Sequence, residues 1–142
     1  ELPFLQRALA GPFTLLPLMV RTHDPAAVEK TGLALAKVCQ SRRVLLVGST
    51  DLSHFKSQAA AKELDSRMLA QIEALSPEGV LRADASGSGS ACGAGAVAAV
   101  LWAARALGAN TARVVHYSTS ADETGDSTQV VGYGALVLLK TP

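Results

Sequence analysis

The stretch Arg43–His54, R-V-L-L-V-G-S-T-D-L-S-H, constrains this chain most. Val44–Val47 is a short run of β-branched and aliphatic residues closed by Gly48, which reads as a strand buried on both faces. Directly after it, Ser49, Thr50, Asp51, Ser53 and His54 crowd polar and titratable groups together. In open α/β sheets, ligands and chemistry collect at the carboxyl ends of strands. Ser49 and Thr50 suit a turn or a helix cap. Asp51 with His54 is a carboxylate–imidazole pair, which has an obvious use in proton transfer.

The rest of the chain supplies layers for such a strand. Leu2–Leu9 reads as a helical turn or two ended by Gly11-Pro12. Phe13–Val20 reads as a largely apolar strand that Pro17 pushes toward an edge or a bulge. Asp24-Pro25 is an N-cap followed by Pro at N1, opening a helix to about Cys39. A second helix is expected at about Ser57–Leu75. Its apolar face carries Ala60, Leu64, Met68, Ile72 and Leu75; its polar face carries Lys62, Glu63, Asp65, Arg67 and Glu73. Ser76-Pro77-Glu78 opens a short helix through Leu81. After the Gly/Ser run Ser86–Ser90, a helix rich in small residues runs from about Gly93 to Leu107 and is stopped by Gly108. Thr111–Tyr117 and Val130–Leu139 read as strands joined by the polar loop Ser118–Gln129.

Strands alternating with helices predict an α/β fold over residues 1–142 as a single domain: a layered α/β/α arrangement with a mostly parallel sheet. The connection between the last two strands is too short for a helical crossover, so that C-terminal strand pair is expected to be antiparallel.

Composition excludes several classes. The chain is 49% hydrophobic and 18% charged, which is incompatible with disorder. A net charge of +1 with scattered Lys and Arg gives no footprint for nucleic acid or an anionic membrane. No apolar run reaches the length of a bilayer span, and no secretory leader is expected. Two cysteines make no disulfide framework, so a reducing, cytoplasmic setting is expected. Cys39 ends an apolar helical stretch and reads as a buried small residue. His116 lies within an apolar strand and reads as a core histidine; His23 reads as a surface turn residue.

Cys92 is different. It follows Gly87-Ser88-Gly89-Ser90-Ala91 and precedes Gly93-Ala94-Gly95 at the head of a helix. Free N–H groups and the helix dipole favour a thiolate there, which is both a nucleophile and a soft metal ligand. The bland alternative is a small residue where two elements touch. The Gly/Ser run lacks the Gly-Lys-Ser/Thr of a phosphate-binding loop. The polar loop holding Thr119, Ser120 and Asp122 follows a strand. It can close over a site made by Asp51, His54 and Cys92, or serve as an ordinary turn.

Taken together, S-T-D-L-S-H (Ser49–His54), A-C-G-A-G (Ala91–Gly95), Y-S-T-S-A-D-E-T-G-D (Tyr117–Asp126) and V-V-G-Y-G-A (Val130–Ala135) resemble the Memo-like family in order and spacing. That family includes the AmmeMemoRadiSam system protein B. E-L-P-F-L (Glu1–Leu5) resembles the middle of the family sequence, so the chain is expected to be the C-terminal half of a Memo-like domain. The family is similar in fold to the class III extradiol dioxygenases (LigB-like).

The resemblance implies that Cys92 matches a metal-ligating cysteine, and that Asp51 and His54 line the same pocket as candidate catalytic groups. Ser49, Thr119, Ser120 and Asp122 would lie on the substrate side. It implies Fe(II) or Cu as cofactor, with the remaining ligands, two histidines, coming from an N-terminal half. The leading functional expectation is a non-haem metal redox or dioxygenase-like pocket acting on an unknown small molecule. The alternative is an inactive module that binds a peptide or partner on the same fold. A Cys92–His54 hydrolase is a third reading, which needs those side chains within hydrogen-bond reach. Association is expected, either with the N-terminal half as a separate segment or chain, or as an oligomer.

Overall fold

A computed structural model describes all 142 residues. The elements in order are α1 (Leu2–Ala8), α2 (Pro25–Cys39), β1 (His54–Lys56), α3 (Gln58–Glu73), α4 (Pro77–Ser86), α5 (Ala94–Ala106), β2 (Thr111–Thr119), α6 (Ala121–Thr124) and β3 (Val130–Leu139).

Local chemistry accounts for where the helices begin. Asp24 Oδ2 accepts from Ala27 N–H at 2.9 Å, and Ser76 Oγ accepts from Gly79 N–H at 3.1 Å. Each bond satisfies a donor that the first helical turn cannot, and each is followed by Pro at the position that tolerates it. α4 continues past Leu81 to Ser86, where Gly87 takes a left-handed φ of +69° and stops it.

α5 is the hub of the core. Ala94, Ala98, Leu101 and Ala103 are fully buried. Small residues let α2 come very close: a methyl added at Gly32 would stand 2.6 Å from Ala99 O. Around α5 cluster Val28, Leu52, Met68, Ile72, Val80 and Leu81. Burying each of the larger ones is worth roughly 1.5–3 kcal/mol.

The α/β class and the antiparallel C-terminal pair are as expected. The sheet has three strands in the order β1-β3-β2, and both junctions are antiparallel. β2 pairs with β3 from Thr111↔Leu139 to Thr119↔Gly132.

The parallel strands expected at Phe13–Val20 and Val44–Val47 are not found. Residues 13–22 and 43–50 make no backbone–backbone hydrogen bonds. A strand exists only by pairing, and these segments meet helix rather than strand: Gly48 packs on Val100, and Thr22 O and Val20 lie where a Gly95 side chain would be. Their outer side chains stand open, with Leu16 75%, Met19 84% and Leu45 66% exposed. β1, expected as loop, is a three-residue strand with an irregular register between His54 and Lys56. At that irregularity Phe55 takes a φ of +55°, which is strained for a bulky residue. No helix is long and apolar enough to cross a membrane.

Candidate metal centre

The site forms where residues 49–54 meet the head of α5. Two reciprocal hydrogen bonds join the segments. Cys92 N–H donates to Asp51 O at 3.1 Å, and Asp51 N–H donates to Cys92 Sγ at 3.2 Å. Thr50 strengthens the seam. Its Oγ1 accepts from Gly93 N–H at 2.8 Å, so it caps the helix entry, and it donates to Asp51 O at 2.7 Å. Gly93 is needed for this approach, because an added methyl would lie 2.5 Å from Ser49 O. Ser49 therefore meets the helix entry through its carbonyl.

His54 opens β1 and turns its ring back toward Asp51, with Nε2 3.4 Å from Asp51 Oδ2. That is long for a hydrogen bond and leaves both groups able to take another partner. Asp51, His54 and Cys92 each offer one ligand atom, and all three atoms lie within 4.8 Å of one another. His54's hydrogen bond goes to Asp51 and none joins it to Cys92, so a nucleophile–base pair is not assembled. The side chains of Asp51 and His54 are 49% and 36% exposed, and Cys92 is exposed.

These residues fit a metal ion. Thiolate, imidazole and carboxylate form a mixed set suited to Fe, Cu or Zn, at metal–ligand distances of about 2.0–2.3 Å. A modest contraction of the observed spacing would meet those lengths. An ion held there would be open to further ligands on the exposed side.

The other expected residues lie elsewhere along the sheet. Thr119 is buried; its N–H donates to Asp122 Oδ2 at 2.7 Å and its Oγ1 accepts from Gln58 Nε2 at 3.0 Å. Ser120 N–H donates to Val131 O at 2.9 Å, while Ser120 Oγ accepts from Val131 N–H at 3.1 Å. His54 pairs with the same Val131 from the opposite side. Thr119, Ser120 and Asp122 line a groove with His116, Glu123 and Tyr133, which does not include Asp51, His54 or Cys92. His116 is exposed rather than in the core, whereas His23 sits at the surface, 3.5 Å from Asp84.

Sequence reasoning missed Thr50 as a builder of the site and missed Asp65 altogether. Asp65 is completely buried, although its charge assigned it to the solvent face of α3. The signal was its spacing, in line with buried Ala61, Met68 and Ile72. Its carboxylate accepts from Ser53 N–H at 2.9 Å and from Tyr117 O–H at 2.8 Å. Burial, reinforced by the hydrogen bond to Asp65 and its charge, pushes the Tyr117 phenol well above its ordinary value.

Comparison with known proteins identifies the family. The family model described as Memo-like protein matches residues 1–137. A MEMO1 family protein of Methanopyrus kandleri is 33% identical over 139 residues, covering 96% of this chain and 49% of the relative. A MEMO1 family protein of Nitrosopumilus maritimus is 32% identical over 136 residues, covering 96% and 50%. One of Methanosarcina acetivorans is 34% identical over 140 residues, covering 97% and 52%. The chain thus spans about half the length of the curated relatives it matches. With a family model covering nearly every residue and relatives aligned along almost its whole length, the chain belongs to the Memo-like protein family.

Proposed function

We propose that this chain carries part of a non-haem metal centre on Asp51, His54 and Cys92, serving a redox or dioxygenase-like pocket. The observation that carries the reading is the convergence of three chemically different donors within 4.8 Å, drawn from two segments far apart in sequence. Cys92 is the anchoring soft ligand. His54 ligates or transfers a proton, and Asp51 orients it. A bound Fe(II) or Cu ion would supply the one-electron and oxygen chemistry that side chains lack.

Three donors do not fill a coordination sphere, so the remaining ligands come from outside this chain's own cluster. The relatives' additional length is their proposed source. The exposed apolar side chains of residues 13–20 and 44–47 offer a surface for such a partner segment. Two free cysteines, one of them exposed, support a reducing cytoplasmic setting.

The test is anaerobic loading with Fe(II), and separately with Cu, followed by metal analysis. One equivalent per chain is expected, and Cys92→Ala is expected to weaken binding by about 100-fold or more, because it removes a ligand outright. Equal loading of the two proteins refutes the assignment. Failure to load any metal, together with saturable peptide binding, would favour the binding-module reading.

A further inference from the structure

We propose that buried Asp65, working with Tyr117, is the positioning device of the donor cluster; the proposal rests on the metal reading above. Asp65 makes no hydrogen bond to any of the three donors. It holds the backbone that carries two of them.

An unpaired carboxylate is costly inside a protein, so a fully buried one needs strong partners. Asp65 has two. One is the N–H of Ser53, which lies between Asp51 and His54; the other is the phenol of Tyr117 on β2. Neither belongs to Asp65's own helix, so its bonds serve the loop and the sheet rather than α3.

The opposite side of the same loop is held by β3. Leu52 N–H donates to Gly132 O, and Gly132 N–H donates to Ser53 O, both at 2.9 Å. Asp65 lies directly behind this pair: a methyl at Gly132 would overlap Asp65 Oδ2. The two residues between Asp51 and His54 are thus gripped from both sides.

A second observation fits a grip under load. Immediately after His54, Phe55 has a left-handed φ and is 74% exposed. No burial of the side chain offsets that strain, so the surrounding bonds must hold it. With Asp65 released, the backbone at 52–55 would be free to relax this strain, and the relaxation would carry the His54 ring away from Asp51 and Cys92.

Outer groups that orient metal ligands commonly change affinity by about 10–100-fold when removed. The experiment uses Co(II) as probe, read by the thiolate-to-cobalt charge-transfer band of Cys92, together with hydrogen exchange of the backbone at residues 51–55. Tyr117→Phe removes one hydroxyl, and Asp65→Asn preserves shape but turns one of the two acceptor oxygens into an NH2 donor, so it cannot accept from both Ser53 N–H and Tyr117 O–H. Both variants are expected to lose about 10–100-fold in Co(II) affinity. They should exchange faster at 51–55 while α2 and α5 keep their protection. If Asp65→Asn fails to fold, Tyr117→Phe decides. Unchanged exchange at 51–55, or affinity within about twofold of the parent, overturns the proposal. If the parent protein gives no cobalt band, the metal reading fails, and the exchange data alone decide whether Asp65 and Tyr117 position the loop.

Discussion

Replacing Gly132 with Ala tests how closely β3 is clamped against Asp65. The new methyl would overlap Asp65 Oδ2 and stand 2.8 Å from its Cγ, closer than real carbon atoms approach. Gly132 cannot retreat without losing its bonds to Leu52 and Ser53, so Asp65 must move. Moving Asp65 stretches its bonds to Ser53 N–H and Tyr117 O–H, each worth roughly 1.5–3 kcal/mol because one partner is charged. Overpacking itself costs roughly 1–3 kcal/mol. If Asp65 gives way by only part of each bond, the expected loss is about 3–5 kcal/mol, a large share of the 5–15 kcal/mol typical of a domain. Urea unfolding followed by the fluorescence of Trp102, the only tryptophan, reads it. Gly11→Ala is the control: nothing lies within 4 Å of its added methyl, and a change within about 0.5 kcal/mol is expected. The decisive comparison places Gly132→Ala in an Asp65→Ala background. There the obstructing carboxylate is gone, and the glycine substitution should cost less than about 1 kcal/mol, a coupling of roughly 2 kcal/mol or more. Additivity of the two substitutions within about 0.5 kcal/mol would refute the clamp.

Other expectations follow from the same geometry. Ser53 Oγ is buried with no hydrogen-bond partner, so Ser53→Ala should raise stability by about 1 kcal/mol in urea unfolding; a loss of that size would mean the hydroxyl is bonded. At Phe55, relief of left-handed strain and the entropy of glycine nearly cancel. Phe55→Gly should therefore be neutral within about 0.5 kcal/mol, whereas β-branched Phe55→Val should cost about 1 kcal/mol or more; equal effects would contradict the strain. The Tyr117 phenol is raised in the folded state, so its contribution is complete below the unfolded value of about 10 and declines as pH rises past it. Urea midpoints measured from about pH 9 to pH 11 should fall more steeply for the parent than for Tyr117→Phe.

How much of this was legible from the sequence depended on whether the determining contact was local. The starts of α2 and α4 could be read because Asp24-Pro25 and Ser76-Pro77 carry their own caps. β3 was read to the residue, since its exposed positions alternate from Tyr133 to Leu139. The segments at 13–20 and 44–47 looked equally strand-like, yet pairing is a property of two segments and no neighbour bonds them. His116 was misplaced for a different reason. An irregularity between Val114 and His116 breaks the alternation, so Val115 and His116 both emerge on the open face. Asp65 was sorted by charge when its helical spacing pointed inward. Asp51, His54 and Cys92 could be nominated by residue type and motif, but their convergence needed the three-dimensional fold.

The seam between Asp51 and Cys92 also bears on when the cluster can come into being. Its two bonds span 41 residues, most of them in α3 and α4. Closing a loop of that length costs about 3 kcal/mol of chain entropy beyond a fixed term, a cost that prior folding of the helical excursion would reduce. The donors are therefore expected to assemble late, so that an ion held by them would report a finished fold rather than template its beginning.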